Sequence, residues 1–384
     1  MPTTTLHHAL RPRHRAVHQV REWISKGRLT DGAVLPSERE LAQRLGLARG
    51  TVRAALSELT NDGVISLADG GVRRVQGSGR HGLMASTIAL LTDSPVLSAP
   101  EHVPLGQDSF IQLAVTQALT GIGRHVLNLS PTMLGDDGLK QLIAGRPRGA
   151  IAMYAVAASP HGQRVIAALK AAGIATTTHS DAHALRPYDH VTSDQHRGGY
   201  DVTRWLLAHG RRRIRCFWRF PAQRDWADDR YAGYAQAMRE AGLSPLPALR
   251  TPELDIRSNT AEGFTALASA LSGFLHQPAT LDAKRKPGFD ALITATDGHA
   301  YQSAAACRRL GLLPGREVLV TGYDHLFPVC PERAFEPNGL AATVDKDNPA
   351  MARELVRLLD ARLAGQLPAA AQRLVVPHRL IPLT

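Results

Sequence analysis

The sequence predicts a multidomain chain in which a small, basic α+β domain precedes a larger α/β domain of two lobes. Three observations carry that expectation. The 384 residues exceed what one hydrophobic core ordinarily serves, since domains cluster near ~100–200 residues. The net charge of +11 is unevenly placed: residues 1–82 hold 13 Lys and Arg against 7 Asp and Glu, while residues 83–384 hold 32 against 27. From residue 86 onward short apolar runs alternate with helix-length amphipathic stretches, as parallel βα units do. The first 80 residues instead read as three helices and two short strands.

Composition excludes several classes. With 44% hydrophobic and 21% charged residues the chain can bury a sizeable core and is not disordered throughout. Cys216, Cys307 and Cys330 are far apart and form no CxxC pair, so neither a disulfide framework nor a cysteine zinc site is expected, and a reducing cytoplasm fits. No run of about 18 apolar residues occurs and the N-terminus lacks a signal-peptide core, so neither secretion nor a membrane partner is expected. The 17 histidines show no HExxH spacing, so no metal is expected. A basic domain on a near-neutral one suggests a polyanionic partner. The other reading of the charge is coding bias, because only six of the 45 basic residues are lysines.

Val17, Val20, Trp23 and Ile24 recur at helical spacing and predict a first helix over residues 14–26, closed by Gly27. Ser37-Glu38-Arg39-Glu40 is a capping box, with Ser37 placed to cap the third amide and Glu40 to reach back. The short second helix that it opens ends at Gly46. A third helix follows over 48–62, with Val52, Ala55, Leu56 and Leu59 on one arc and Arg49, Gly50, Arg53 and Ser57 on the next. Two short helices joined by a tight turn, the second with arginines four residues apart, match a helix-turn-helix whose recognition helix enters the major groove of double-stranded DNA. Arginine can donate twice to guanine, and Thr51 can meet a phosphate or a thymine methyl. Residues 64–67 and 72–75 flank Ala68-Asp69-Gly70-Gly71 as a hairpin, the wing, with Arg73 and Arg74 beside it.

The string Leu35-Pro36-Ser37-Glu38-Arg39-Glu40-Leu41-Ala42, then Thr51-Val52-Arg53-Ala54-Ala55-Leu56 and Gly63-Val64-Ile65, resembles the GntR-family winged helix-turn-helix over nearly its whole length. That resemblance implies operator DNA as a partner, with Ser37, Arg39, Arg49, Gly50, Thr51, Arg53, Gly70, Gly71 and Arg73 as its contacts. Gly50 departs from the Ser or Thr that the family often carries, which removes a hydroxyl and weakens the helix by about 1 kcal/mol relative to Ala. A lone surface arginine is ordinarily just a solvated charge. Four on the contacting face, in register with the capping box and wing, favour contact.

Beyond a small, polar segment at 77–82, strands are expected at 88–91, 126–129, 150–153, 174–178, 214–218, 291–294, 318–321 and 341–344. Helices are expected at 109–122, 161–172, 196–209, 229–241, 260–275, 299–311 and 348–364. The blocks Asp194-Gln195-His196-Arg197-Gly198-Gly199, Arg230-Tyr231-Ala232-Gly233-Tyr234, Ala295-Thr296-Asp297, Val320-Thr321-Gly322-Tyr323-Asp324 and Leu340-Ala341-Ala342-Thr343-Val344 resemble, in order, those of the LacI/ribose-binding-protein family. The resemblance implies a two-lobed periplasmic-binding-protein-like fold and a small polar effector, a sugar by analogy with arabinose regulators, which share this pairing of domains. It also implies a homodimer. The domain limits that follow are 1–77 for the winged helix, 78–85 for a linker and 86–384 for the effector-binding and dimerisation domain.

Effector contacts are expected from Asp108, Ser109, Phe110, Asp194, Trp226, Arg230, Thr296, Asp297 and Asp324, since ligands sit beyond strand carboxyl ends and a hydroxyl-rich molecule needs multidentate charged partners. For Trp226 a core aromatic is about as good a reading, and for Arg230 and Asp324 the alternative is an ion pair across the lobes. No GxGxxG after a strand, no GxxxxGK[ST] and no GxSxG occurs, so no cofactor and no enzyme are expected. Two alternatives stand: a DNA-binding dimer whose larger domain no longer takes ligand, and a DNA-tethered enzyme.

Overall fold

The computed structural model describes residues 12–383 apart from 31, 69–70, 76–82, 94–106, 222–223, 255, 257–258 and 278–286. The wing-tip Gly70 and most of the expected linker therefore lie outside the described residues.

At the N-terminus α1 (Pro12–Ser25), α2 (Glu38–Leu45) and α3 (Arg49–Asn61) precede the antiparallel strands β1 (Ile65–Leu67) and β2 (Arg73–Val75), paired Ile65 to Val75. The capping box forms as the sequence predicts: the Glu40 amide donates to Ser37 Oγ, and the Ser37 amide donates to Glu40 Oε2 at 2.8 Å. Gly46 closes α2 at φ 62°, a left-handed turn that lets α3 leave at a steep angle. Val17, Val20, Leu41, Val52, Leu56, Leu59, Ile65 and Val75 are buried together as the core of this domain.

The rest of the chain builds two six-stranded sheets. Lobe 1 contains β3 (Thr87–Leu91), α4 (Gln107–Gly121), β4 (His125–Leu129), α5 (Pro131–Gly145), β5 (Gly149–Ala152), α6 (Tyr154–Ala158), α7 (Pro160–Ala171), β6 (Thr176–His179) and β7 (Asp189–Ser193). The chain then crosses into lobe 2 with α8 (Gln195–Ala208), β8 (Ile214–Trp218), α9 (Asp225–Glu240), β9 (Leu249–Arg250), α10 (Ala261–Leu275), β10 (Ala291–Thr294), α11 (Asp297–Arg309), β11 (Leu319–Tyr323) and β12 (Ala342–Asp345). It returns through α12 (Asn348–Leu363), which packs in the core of lobe 1, adds β13 (Arg373–Val376) there, and ends as β14 (Arg379–Pro382) on lobe 2.

Sheet order is β13-β7-β6-β5-β3-β4 in lobe 1, all parallel, and β14-β12-β11-β10-β8-β9 in lobe 2, parallel except for β14. Parallel strands place every loop that follows a strand at one edge of each sheet. The three crossings, after β7, after β12 and after β13, lie at that edge, so the two edges face each other.

Several expectations shift. The strand expected at 174–178 begins two residues later, and the one expected at 318–321 extends to Tyr323. β7, β9, β13, β14 and the helices α5 and α6 were not expected at all. β7 is Asp-His-Val-Thr-Ser, a polar string that nonetheless lies fully buried between β6 and β13.

Candidate nucleic-acid interface and interlobe cleft

Of the residues expected to meet DNA, Arg39, Arg49, Gly50 and Arg53 are exposed on the first turns of α2 and α3, and Thr51 is half-buried. Glu38 organises the arginines among them. Its carboxylate accepts from Arg53 Nε at 3.0 Å and Arg73 Nη1 at 3.1 Å, and Arg49 Nε lies 3.6 Å away. Burial pushes the Glu38 carboxyl up, but the arginine hydrogen bonds outweigh it and hold it below the usual range. The result is a preset cluster of three guanidiniums on one carboxylate, which brings wing and recognition helix together. A Cβ at Gly50 would meet nothing within 4 Å, so the missing hydroxyl is a matter of contact chemistry and not of space. In the wing turn Gly71 takes φ 79°, while the Ala68 amide donates to the Val72 carbonyl.

In lobe 2 the expected effector residues gather at the strand ends. Arg230, on α9, is buried, and its guanidinium carbon lies 3.4 Å from the Tyr323 ring centroid and 4.3 Å from that of Trp226. Nε donates to Gln195 Oε1 at 2.7 Å and Nη1 to the Ala295 carbonyl at 2.9 Å, which leaves Nη2 without a hydrogen bond among the described residues. Asp324 follows β11 at φ 85°, a backbone region that non-glycine residues seldom occupy and that recurs at functional sites. Its amide donates to Val344, and its carboxylate pairs with Lys346 at 2.7 Å, both side chains under 8% exposed. Arg230 and Asp324 are therefore not each other's partners. Trp226 packs edge-on to Trp218 and Phe220 while staying half-buried, so it is both a core aromatic and a face beside Arg230.

Thr296 caps α11 by accepting from the His299 amide. Asp297 is placed differently from the others. It is fully buried, accepts from Thr343 Oγ1 at 2.6 Å and the Phe327 amide at 2.8 Å, and packs against Gly322, where a Cβ would clash with it. Both of its oxygens are thus spent on holding β12 and the loop after β11.

From lobe 1, Ser109 and Phe110 lie half-buried in the first turn of α4, at the edge where the chain leaves β3. Asp108 begins the same turn, but its side chain is outside the described residues. Asp194 caps α8 by accepting from the Arg197 amide, and it lines a cavity of about 560 Å³ with Asp181, His183, His196 and Asp229. Side-chain contacts join the lobes here. The His183 amide donates to Asp225 Oδ2 at 2.7 Å, and Gln195 Nε2 donates to Asp181 Oδ2 at 2.9 Å while its other amide atom holds Arg230.

Sequence reasoning missed Lys346, Gln195, Tyr323 and Asp181 as parts of this site. Gln195 and Tyr323 belong to the sequence blocks that resemble the LacI/ribose-binding-protein family, and Lys346 offers one signal, a rare lysine in an arginine-rich chain just after a strand. No group of three or more His, Cys, Asp or Glu among the described residues is arranged to hold a metal ion, and no described helix is long and apolar enough to cross a membrane.

The comparison with known proteins agrees with both halves of this geometry. Residues 12–75 match the family described as bacterial regulatory proteins, gntR family, and residues 203–382 match the periplasmic binding protein-like domain. The chain joins a GntR-type helix-turn-helix to a periplasmic-binding-protein-like domain. It is similar to the sucrose operon repressor of Escherichia coli, at 26% identity over 265 residues, covering 67% of this chain and 70% of that one. Its first domain is similar to the transcriptional regulator SmoD of Agrobacterium fabrum, 45% identical over 62 residues that make up 16% of this chain and 23% of that one.

Among solved structures, the complex of the transcriptional regulator CelR with cellobiose shares the fold at TM-score 0.57 and 19% identity, over 90% of this chain and 98% of that one. A periplasmic binding protein/LacI regulator from Alkaliphilus metalliredigens with D-xylulofuranose does so at TM-score 0.54 and 16% identity, over 77% and 97%. The first domain is thus of the kind found in bacterial regulatory proteins, the larger one has the periplasmic-binding-protein-like fold, and the relatives the chain matches are transcriptional regulators.

Proposed function

We propose that this regulator binds a specific operator as a cytoplasmic homodimer and is controlled by a sugar or similar polyol held between its two lobes. The observation that carries the effector half is Arg230: a buried guanidinium fixed by two hydrogen bonds and two aromatic rings, with Nη2 left without a hydrogen bond among the described residues, while Asp324 stands at the end of β11 with its carboxylate held by Lys346. A charged donor and a charged acceptor preset at one strand edge suit vicinal hydroxyls. Trp226, Thr296 and Asp194 complete the lobe 2 side, and Ser109, Phe110 and Asp108 are its lobe 1 counterparts. Asp297 serves the site by positioning it.

The DNA half rests on Arg39, Arg49, Thr51, Arg53 and Arg73, with Ser37, Gly50, Gly70 and Gly71 allowing close backbone approach. The chain divides at residues 77 and 86, and dimerisation belongs to the larger part, because one recognition helix covers only a half-site. The protein acts as a repressor that its effector releases, in keeping with its similarity to the sucrose operon repressor. The test is thermal unfolding against sucrose, cellobiose, ribose and arabinose, with the molecular mass followed by light scattering. Stabilisation by one of them in a dimer supports the reading. A dimer that responds to none favours a DNA-binding scaffold that has lost its ligand, and a monomer with and without DNA removes the two-fold operator.

A further inference from the structure

The C-terminal turn of the recognition helix is buried against lobe 1 by charge. Asp62, directly after α3, is fully buried and accepts from Arg21 of α1 at 2.6 Å and from Arg124 at 2.8 Å, with Arg148 Nε 3.2 Å away. Glu58, one turn earlier, accepts from Arg13 of α1 at 2.6 Å and from Arg124 Nη2 at 3.3 Å. Arg124 precedes β4, its side chain only 5% exposed, and Arg148 precedes β5. Asp360, near the end of α12, lies 3.7 Å from Arg124. Four arginines and three carboxylates thus share one interface, drawn from α1, α3 and the base of lobe 1.

Buried ion clusters contribute little net stability compared with apolar packing, but they tolerate one geometry only, because any slip leaves a buried charge unpaired. An apolar joint could slide; this one fixes the angle of α3. Its position matters as much. Arg124 and Arg148 stand at the N-terminal ends of lobe 1 strands, the edge opposite to the interlobe cleft. α12 connects the two edges: it begins just after Lys346, the partner of Asp324, and runs about 18 Å from Asn348 to Asp360.

We propose that the winged helix and lobe 1 form one rigid body through this buried cluster, and that α12 is the rod by which the effector cleft acts on the recognition helix. The inference deepens the effector-controlled reading above and rests on it for the role of α12; the rigid docking stands without it. Movement at Lys346 is then delivered to the Arg124, Glu58 and Asp62 joint and so to the direction of α3, whose other end carries Arg49 and Arg53.

The test uses the full chain without DNA or effector, so its failure is distinct from failure of the proposed function. Calorimetry and hydrogen exchange are compared for the wild type, Arg124→Gln and Asp360→Arg. The wild type should unfold in one transition, with matched protection at residues 58–64 and 119–126. Arg124→Gln should give two transitions and at least tenfold faster exchange at both segments, while the amides of β8 and β10 in lobe 2 keep their protection. Should Arg124→Gln fail to fold, Asp360→Arg decides the matter: it adds a fifth cation beside Arg124 and should speed exchange at both segments severalfold. Two transitions in the wild type, or unchanged exchange in the variants, would overturn the rigid docking. For the rod, an effector found by the thermal screen should alter exchange at 58–64 in the wild type and not in Arg124→Gln; an equal response in both would overturn it.

Discussion

Arg53 lies 3.0 Å from Glu38, the carboxylate that also accepts from Arg73 of the wing. The recognition helix thus presents an arginine that is already oriented before DNA arrives, which lowers the conformational cost of a bidentate contact. Arg53→Ala should weaken operator binding by about 1–3 kcal/mol and random DNA far less. Titration of both DNAs at fixed salt checks this, and equal losses would reduce Arg53 to a phosphate contact.

Asp62 is fully buried among three arginines. Removing one partner of a buried charge cluster leaves the others uncompensated, so Asp62→Ala should destabilise the chain by about 3–5 kcal/mol. Urea unfolding measures it. A loss below about 1 kcal/mol would mean that water already solvates the cluster.

Burial of Asp297, only partly offset by the Thr343 hydrogen bond and reinforced by the charge of Asp324, raises its carboxyl from the ordinary 3.8 to about 7. Between those values the folded chain keeps a proton that the unfolded chain has lost. This group's contribution to stability therefore falls as pH rises from about 4 to about 7 and is flat above, with a slope on the order of 1 kcal/mol per pH unit. Asp297→Asn carries no such titration. The stability difference, wild type minus variant, should decrease between pH 4.5 and 7, and a difference independent of pH would contradict the assignment.

Local chemistry was the part of this protein most legible in the sequence. Ser37 and Glu40 announced the start of α2, Gly46 its end, and the spacing of Val52, Leu56 and Leu59 the buried face of α3, because each signal lies within one turn of the element that it shapes. Strands such as β8 and β10 were readable from their apolar runs. β7 was not, since burial between two neighbouring strands satisfies its polar residues only once the sheet exists. In the cleft, Arg230 and Asp324 could be singled out from their blocks, but their partners, Gln195 and Lys346, are 35 and 22 positions away. The cluster around Asp62 was illegible for the same reason: Arg124 and Asp360 come near α3 only through the folding of lobe 1.

In the proposed mechanism effector and operator binding are one linked equilibrium. It is tested most directly by titrating labelled operator with and without the saturating sugar found by the thermal screen, in the wild type and in Asp324→Ala. Operator affinity should be lower by roughly 5–150-fold with the sugar, as a coupling of about 1–3 kcal/mol gives, and unchanged in Asp324→Ala. A sugar that binds tightly and leaves operator affinity unchanged in the wild type would contradict it.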